Sequence, residues 1–243
     1  MKTSPWQPLP DRRPGRVQLD REQIIDAALR ISDAEGVDAV STRRVAAEFG
    51  TGPSSLYAHV SNKDELLRLM FDRVCGEIEL PPQEPARWAA QVKHLMLATH
   101  VILREHNDLA RVALASIPNG PNALRTSEWM FSLLIKSGMP PRYSAWAIER
   151  IFLYVTADAY ENSIWRAQMR HLKLTEAQAE QHVKTELKEH FAELPDDRFP
   201  YLRAHPDAMT SGTVQERFEW GLDLLIAGLT GFLKPQPPAD VAL

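Results

Sequence analysis

An all-α fold is predicted by three observations on this sequence. Apolar residues recur at three- and four-residue spacing, as in Leu67, Phe71, Val74, Ile78 and in Phe218, Leu222, Leu225, Leu229, Phe232. No stretch shows the sustained alternation of a half-buried strand. Capping residues and breakers punctuate the pattern at helical intervals. The 243 residues are enough for one small domain and a larger one with its own core, and no internal repeat divides them.

The elements follow in order. The stretch 1–18 is Pro/Arg-rich without an apolar core, so it reads as a disordered arm and not as a secretory signal. Asp20 with Gln23 makes a capping box, and Leu19 and Ile24 sit at staple positions. The first helix runs to about 34 with Ile24, Ala27, Ala28 and Ile31 inward, and Gly36 ends it. Asn62 with Glu65 caps a later helix, which Pro81, Pro82 and Pro85 stop. Further helices are expected over 86–104, 107–116 and 122–136, with Pro118–Pro121 as a breaker cluster. Pro141 opens a long helix to about 168. Thr175 with Gln178 caps another to about 193; 195–211 reads as loop; a final helix covers about 213–233. The Pro-rich tail 235–243 reads as disordered.

Net charge is −4 and the pI about 6.1, which excludes a globally basic nucleic-acid binder. Residues 1–63 hold nine Lys/Arg against eight Asp/Glu, leaving −5 on the remainder. Cys75 is the only cysteine, so no intrachain disulfide forms, which fits a cytoplasmic protein. No apolar run is long enough to span a bilayer. The signatures G-x-S-x-G, G-x-x-x-x-G-K-[ST], G-x-G-x-x-G and C-x-x-C are missing, and the eight histidines contain no H-x-x-x-H pair. No enzyme, metal site or cofactor is expected.

The informative segment is 41–65, STRRVAAEFGTGPSSLYAHVSNKDE. A short helix through Val45, Ala46 and Phe49 leads into Gly50-Thr51-Gly52, and a second short helix opens with Pro53, Ser54 and Ser55 and carries Tyr57 and His59. Two short helices on a glycine turn make a helix-turn-helix, whose second helix enters the DNA major groove. Small hydroxyls there approach base edges, and Tyr57, His59 and Lys63 reach phosphates. The same turn also occurs in bundles with no DNA role.

The string L56-Y57-A58-H59-V60-S61-N62-K63-D64-E65-L66-L67, with T42-R43-R44-V45-A46 and I24-I25-D26-A27-A28-L29, resembles the DNA-binding domain of the tetracycline-repressor (TetR) family. The remainder resembles that family's tetracycline-repressor subgroup in size and helix order, down to the closing F218-E219-W220-G221-L222. The resemblance implies a helix-turn-helix domain over 19–65, a connecting helix over 66–80 and an effector-binding and dimerisation body over 81–234. It implies Arg43 near a guanine edge, Pro53, Ser54 and Ser55 facing bases, and Thr42, Tyr57, His59 and Lys63 on phosphates. Arg44 is either a phosphate contact or a surface charge. The entry Thr51-Gly52-Pro53 offers no long polar side chain.

The resemblance also implies a homodimer through the last helix and the 141–168 helix, acting on a palindromic double-stranded operator. Aligned through R87-W88 and A110-R111-V112-A113-L114, the subgroup's metal-ligand histidine falls on Ala113 and its other polar anchors on Glu79, Leu95 and Thr99. The expected effector is therefore a mostly apolar small molecule bound without metal, lined by Leu95, Thr99, Ala113, Ile117, Trp129 and Met130. Each such residue, taken singly, reads more readily as core. Asp158, in FLYVTADAY, either anchors a cationic or hydroxylated effector or is an acid on the wet side or paired at the dimer seam. A repressor released by its effector is the expected function. The alternatives are an effector-independent DNA-binding dimer and a helical enzyme or carrier that reuses the head.

Overall fold

A computed structural model describes residues 19–106, 108–115, 119–172 and 174–233, and only helices and connections occur among them. The expected arm 1–18, the expected tail 235–243 and Ile117 lie outside the described residues.

The head is built on α1 (Arg21–Glu35) and α2 (Thr42–Glu48). Asp20 accepts from Gln23 N and closes the expected capping box. Ile24, Ala27, Ala28 and Ile31 are all buried, against Val37, Val40, Val45, Ala46, Leu56 and Val60. The connecting helix α3 (Lys63–Cys75) starts at Asn62, whose side chain accepts from Glu65 N at 2.8 Å. Glu65 reaches back one residue further than a capping box, to Ser61 N at 2.7 Å, and also holds Arg21 at 2.8 Å. That pair ties the start of α1 to α3.

The body comprises α4 (Trp88–Glu105), α5 (Leu109–Ala115), α6 (Pro121–Lys136), the long α7 (Pro141–Leu172), α8 (Glu176–Glu193), α9 (Pro200–Ala204), α10 (Pro206–Thr210) and α11 (Val214–Leu229). Helices α4, α5, α6 and α11 all pack on α7. The body core is Val92, Leu95, Met96, Met130, Leu133, Leu134, Ile151, Val155 and Leu222. Two expectations are corrected. The 195–211 loop contains α9 and α10, each started by a proline at its first position, where the missing N–H has no helical partner to lose. On α11 the buried stripe is Phe218, Leu222, Ile226; Leu225 is half-buried, and Phe232 is exposed because α11 ends at Leu229 and a 3-10 turn over Thr230–Phe232 breaks the stripe's spacing.

Candidate nucleic-acid interface

Ser41 caps α2 by accepting from Arg44 N at 3.1 Å. At the other end, Gly50 N donates to Ala47 O and Thr51 N to Ala46 O, both 3.1 Å. This is a Schellman stop, which needs a left-handed residue, and Gly50 supplies it at φ +62. The chain then turns outward through Gly52.

The second half of the motif is tighter than expected. Pro53–Ser55 form a 3-10 turn, followed by turns to His59, with Val60 N to Leu56 O at 2.9 Å as an α-type bond. The physical reasons are local. Pro53 gives no N–H, Ser54 and Ser55 are weak helix formers, and so short a segment barely exceeds the cost of a helical nucleus. The Thr51 and Ser55 hydroxyls also bond each other at 2.8 Å, bracing the turn. Leu56 and Val60 are buried and anchor the segment, while Ser54 and Tyr57 face outward, Tyr57 at 56% exposure.

The predicted site residues fall into two sets. Arg43 is exposed, and no ion pair engages its side chain among the described residues; Thr42, Pro53, His59 and Lys63 are half-buried around the same motif. Arg44 is committed internally: its guanidinium holds Glu35 of α1 at 3.0 Å and Glu48 of α2, and these hydrogen bonds raise its pKa further. Ser55, braced by Thr51, is half-buried.

In the body, Leu95, Thr99 and Met130 are buried, and the Thr99 hydroxyl donates to Leu95 O at 2.8 Å. Trp129 donates its indole N–H to Pro81 O at 2.8 Å, and Gln83 donates to Trp129 O at 2.8 Å, so this residue fastens the interdomain linker to α6. Ala113 is half-buried on α5. Two grooves lie elsewhere. One of about 530 Å³ follows α8 past Leu174, Gln181 and His182; one of about 450 Å³ runs between Leu124, Phe131 and Ile148 on α6 and α7. Asp158 is half-buried, and its carboxylate lies 2.7 Å from His100 Nε2. His100 was not expected at a site, since a histidine between Thr99 and Val101 on an apolar helix carries no local signal.

Head and body meet through polar contacts that the sequence also did not mark. Asp72 of α3 accepts from the backbone N–H of Asn122 and Ala123, both at 3.0 Å, capping α6. Arg111 of α5 pairs with Asp38 in the head, which holds that carboxyl below its usual range. Trp146, Leu153, Trp165, Trp220 and Leu224 leave a broad apolar surface exposed on α7 and α11. Among the described residues, no helix is long and apolar enough to cross a membrane.

This arrangement, a small helix-turn-helix head capped onto a larger helical body, is that of a DNA-binding transcription regulator. The chain belongs to the TetR family. Residues 24–70 match the family model "Bacterial regulatory proteins, tetR family", and residues 80–232 match "Tetracyclin repressor-like, C-terminal domain". The repressor DrrR1 of Streptomyces coeruleorubidus is 32% identical over 226 residues, covering 90% of this chain and 81% of that protein. A helix-turn-helix transcriptional regulator of Saccharopolyspora erythraea is 30% identical over 211 residues, covering 87% and 84%. Crystal structures of the Streptomyces coelicolor TetR family protein ActR are similar too. The complex with actinorhodin has TM-score 0.80 and 37% identity, covering 90% of this chain and 99% of ActR. The complex with (S)-DNPA has TM-score 0.76 and 39% identity, covering 88% and 98%. TetR-family proteins are DNA-binding transcription regulators that act as dimers and carry a ligand-binding C-terminal domain; they are not enzymes.

Proposed function

We propose that the chain is a cytoplasmic repressor that leaves a palindromic operator when a small, mostly apolar organic effector enters its body without metal. The observation that carries the DNA reading is the outward recognition segment. Buried Leu56 and Val60 fix it, and Ser54, Tyr57 and nearby Arg43 are left for DNA. In this reading Arg43 contacts a guanine edge, Pro53 and Ser54 approach bases, and Thr42, Tyr57, His59 and Lys63 hold phosphates. In this reading Ser55 shares its hydroxyl with Thr51, and Arg44 shares its guanidinium with Glu35 and Glu48.

Effector control is supported by the small-molecule complexes of ActR and by the polar clasps between head and body, through which a shift in the body reaches α3. For release, the effector must bind the DNA-free arrangement better than the DNA-bound one, and a coupling of roughly 1–3 kcal/mol changes DNA affinity about 5- to 150-fold. One observation favours the effector-independent reading: Leu95 and Met130 are closed into the core and not opened onto a cavity. Anisotropy titration of operator duplex, repeated across a panel of apolar and aromatic compounds with and without chelator, tests both readings. Ligands that release DNA equally in chelator support the proposal. A tight magnesium-dependent tetracycline response would defeat it.

A further inference from the structure

The positive charge of this chain lies ahead of its folded head. Residues 1–18 hold Lys2, Arg12, Arg13 and Arg16 against Asp11, a net of +3. Residues 19–65, the whole helix-turn-helix domain, hold five Lys/Arg against nine Asp/Glu, a net of −4, and 19–243 together carry −7. Two of those five cations are engaged within the fold: Arg21 with Glu65 at 2.8 Å, and Arg44 with Glu35 and Glu48. Duplex DNA carries one negative charge per ~1.7 Å of its axis, and proteins gain affinity by neutralising it with Lys and Arg. An acidic head on an acidic body is a poor source of that attraction.

The fold brings 1–18 in beside the surface that meets DNA. Leu19 is buried and shares one core with Leu56 and Val60 of the recognition segment. Two residues on, Arg21 holds Glu65, and Glu65 accepts from Ser61 N at 2.7 Å, directly after that segment. Chain that enters at Leu19 therefore starts near Lys63, the expected phosphate contact. An extended chain spans at most about 3.3–3.6 Å per residue, which puts Arg16 within about 10 Å of Leu19 and Arg12 within about 25 Å. With the recognition segment in the major groove, the neighbouring minor groove lies half a turn away, about 17 Å along the axis. The three arginines bracket that distance.

Their chemistry suits that groove. A narrow A·T-rich minor groove has an enhanced negative potential that draws in Arg. A guanidinium is more weakly hydrated than an ammonium, so it leaves water at lower cost. Pro14 and Gly15, between Arg13 and Arg16, carry no acidic or bulky side chain to oppose entry.

We infer that Arg12, Arg13 and Arg16 form a second DNA-binding element, which enters the minor groove flanking each half-site and favours A·T pairs there. The inference rests on the DNA-binding reading above and adds a groove, a base preference and three residues to it.

The test uses full chains and duplexes that wild type enriches from a random pool, with the flanks outside the enriched core rebuilt as A·T, G·C or inosine·cytosine. G·C differs from A·T in the minor groove by the guanine amino group, which inosine lacks. Wild type should bind A·T and inosine·cytosine flanks alike, and G·C flanks at least about fivefold more weakly, the usual effect of one unfavourable pair. The combined variant Arg12→Gln, Arg13→Gln, Arg16→Gln should bind all three flanks equally, on the order of tenfold or more below wild type on A·T flanks, and its log–log salt slope should fall by about 2–3 per subunit. Its thermal melt and its enriched core should stay those of wild type, since the three residues precede the folded head. Wild-type indifference to the flanks, inosine·cytosine flanks bound as weakly as G·C, or a combined variant with wild-type affinity and slope would each overturn the inference and leave the helix-turn-helix reading to the enriched core. No enrichment by wild type would remove both.

Discussion

His106, at the end of α4, places Nδ1 3.2 Å from Asp33 of α1 and Nε2 3.4 Å from Glu77 beyond α3, so one imidazole bridges the body to the head and to the connecting segment. The Asp33 hydrogen bond raises the His106 pKa above its ordinary value, against the desolvation that lowers it, and Glu77 adds to the rise. Arg111 and Asp38 pair alongside, and Asp108 stands just before α5, which carries Arg111. A raised folded-state pKa contributes stability that is fully present below the unfolded value and lost as pH rises through the folded one. Head–body docking should therefore weaken as pH climbs from about 6 through the neutral range. Denaturant midpoints measured across that range should fall for wild type and show a shallower slope in His106→Gln. Equal slopes would remove His106 from the clasp.

Arg43→Ala should cost about 1–3 kcal/mol of operator affinity and relax specificity at one base pair in each half-site. Tyr57→Phe should weaken operator and scrambled duplexes alike, because a phosphate contact carries no base information. Arg44→Ala should change DNA affinity less than Arg43→Ala and act mainly on head stability, through the lost Glu35 and Glu48 pairs. Titrations on both duplexes, with thermal melts of each variant, separate these outcomes.

The dimer seam is expected on α7 and α11, where Trp220 and Leu224 are 68% and 59% exposed in a single chain. Leu224→Asp would bury an unpaired charge in that seam, at a usual cost of several kcal/mol. It touches the subunit core less than Leu225→Asp, since Leu225 packs partly inside. Sedimentation should show folded monomer for Leu224→Asp; a persistent dimer would put the interface elsewhere.

Gly221 lies directly beneath Tyr154: an added Cβ would sit 2.2 Å from the tyrosine oxygen. Gly221→Ala should therefore cost about 1–3 kcal/mol by overpacking and break the bond to Phe218 O. Adding Tyr154→Phe should recover part of that loss, a non-additivity expected for residues in contact. Purely additive melts would contradict the packing described.

The parts legible in the sequence were those with local causes. The Asp20 and Thr175 capping boxes, the Gly50 turn and the inward face of α1 follow from neighbours within four residues, and each stands where the pattern placed it. The recognition segment was legible as a motif but not in its 3-10 geometry, which depends on Pro53 and on the Thr51–Ser55 contact. The long-range pairs were hidden because they join residues 50 to 73 positions apart: Asp72 with Asn122, His100 with Asp158, Asp33 with His106. No periodicity marks such a pairing. Arg44 shows the same limit, since Glu35 becomes its neighbour only when α1 and α2 pack.

The central claim is that two recognition segments, held by a dimer, read a twofold-symmetric site. Selecting bound duplexes from a random pool with the full-length protein tests it most directly. The selected sequences should be palindromic, with half-site centres one helical turn apart or a multiple of it, and should bind Arg43→Ala more weakly than wild type. Enrichment of asymmetric sequences, no enrichment at all, or selected duplexes that bind Arg43→Ala as tightly as wild type would contradict the account.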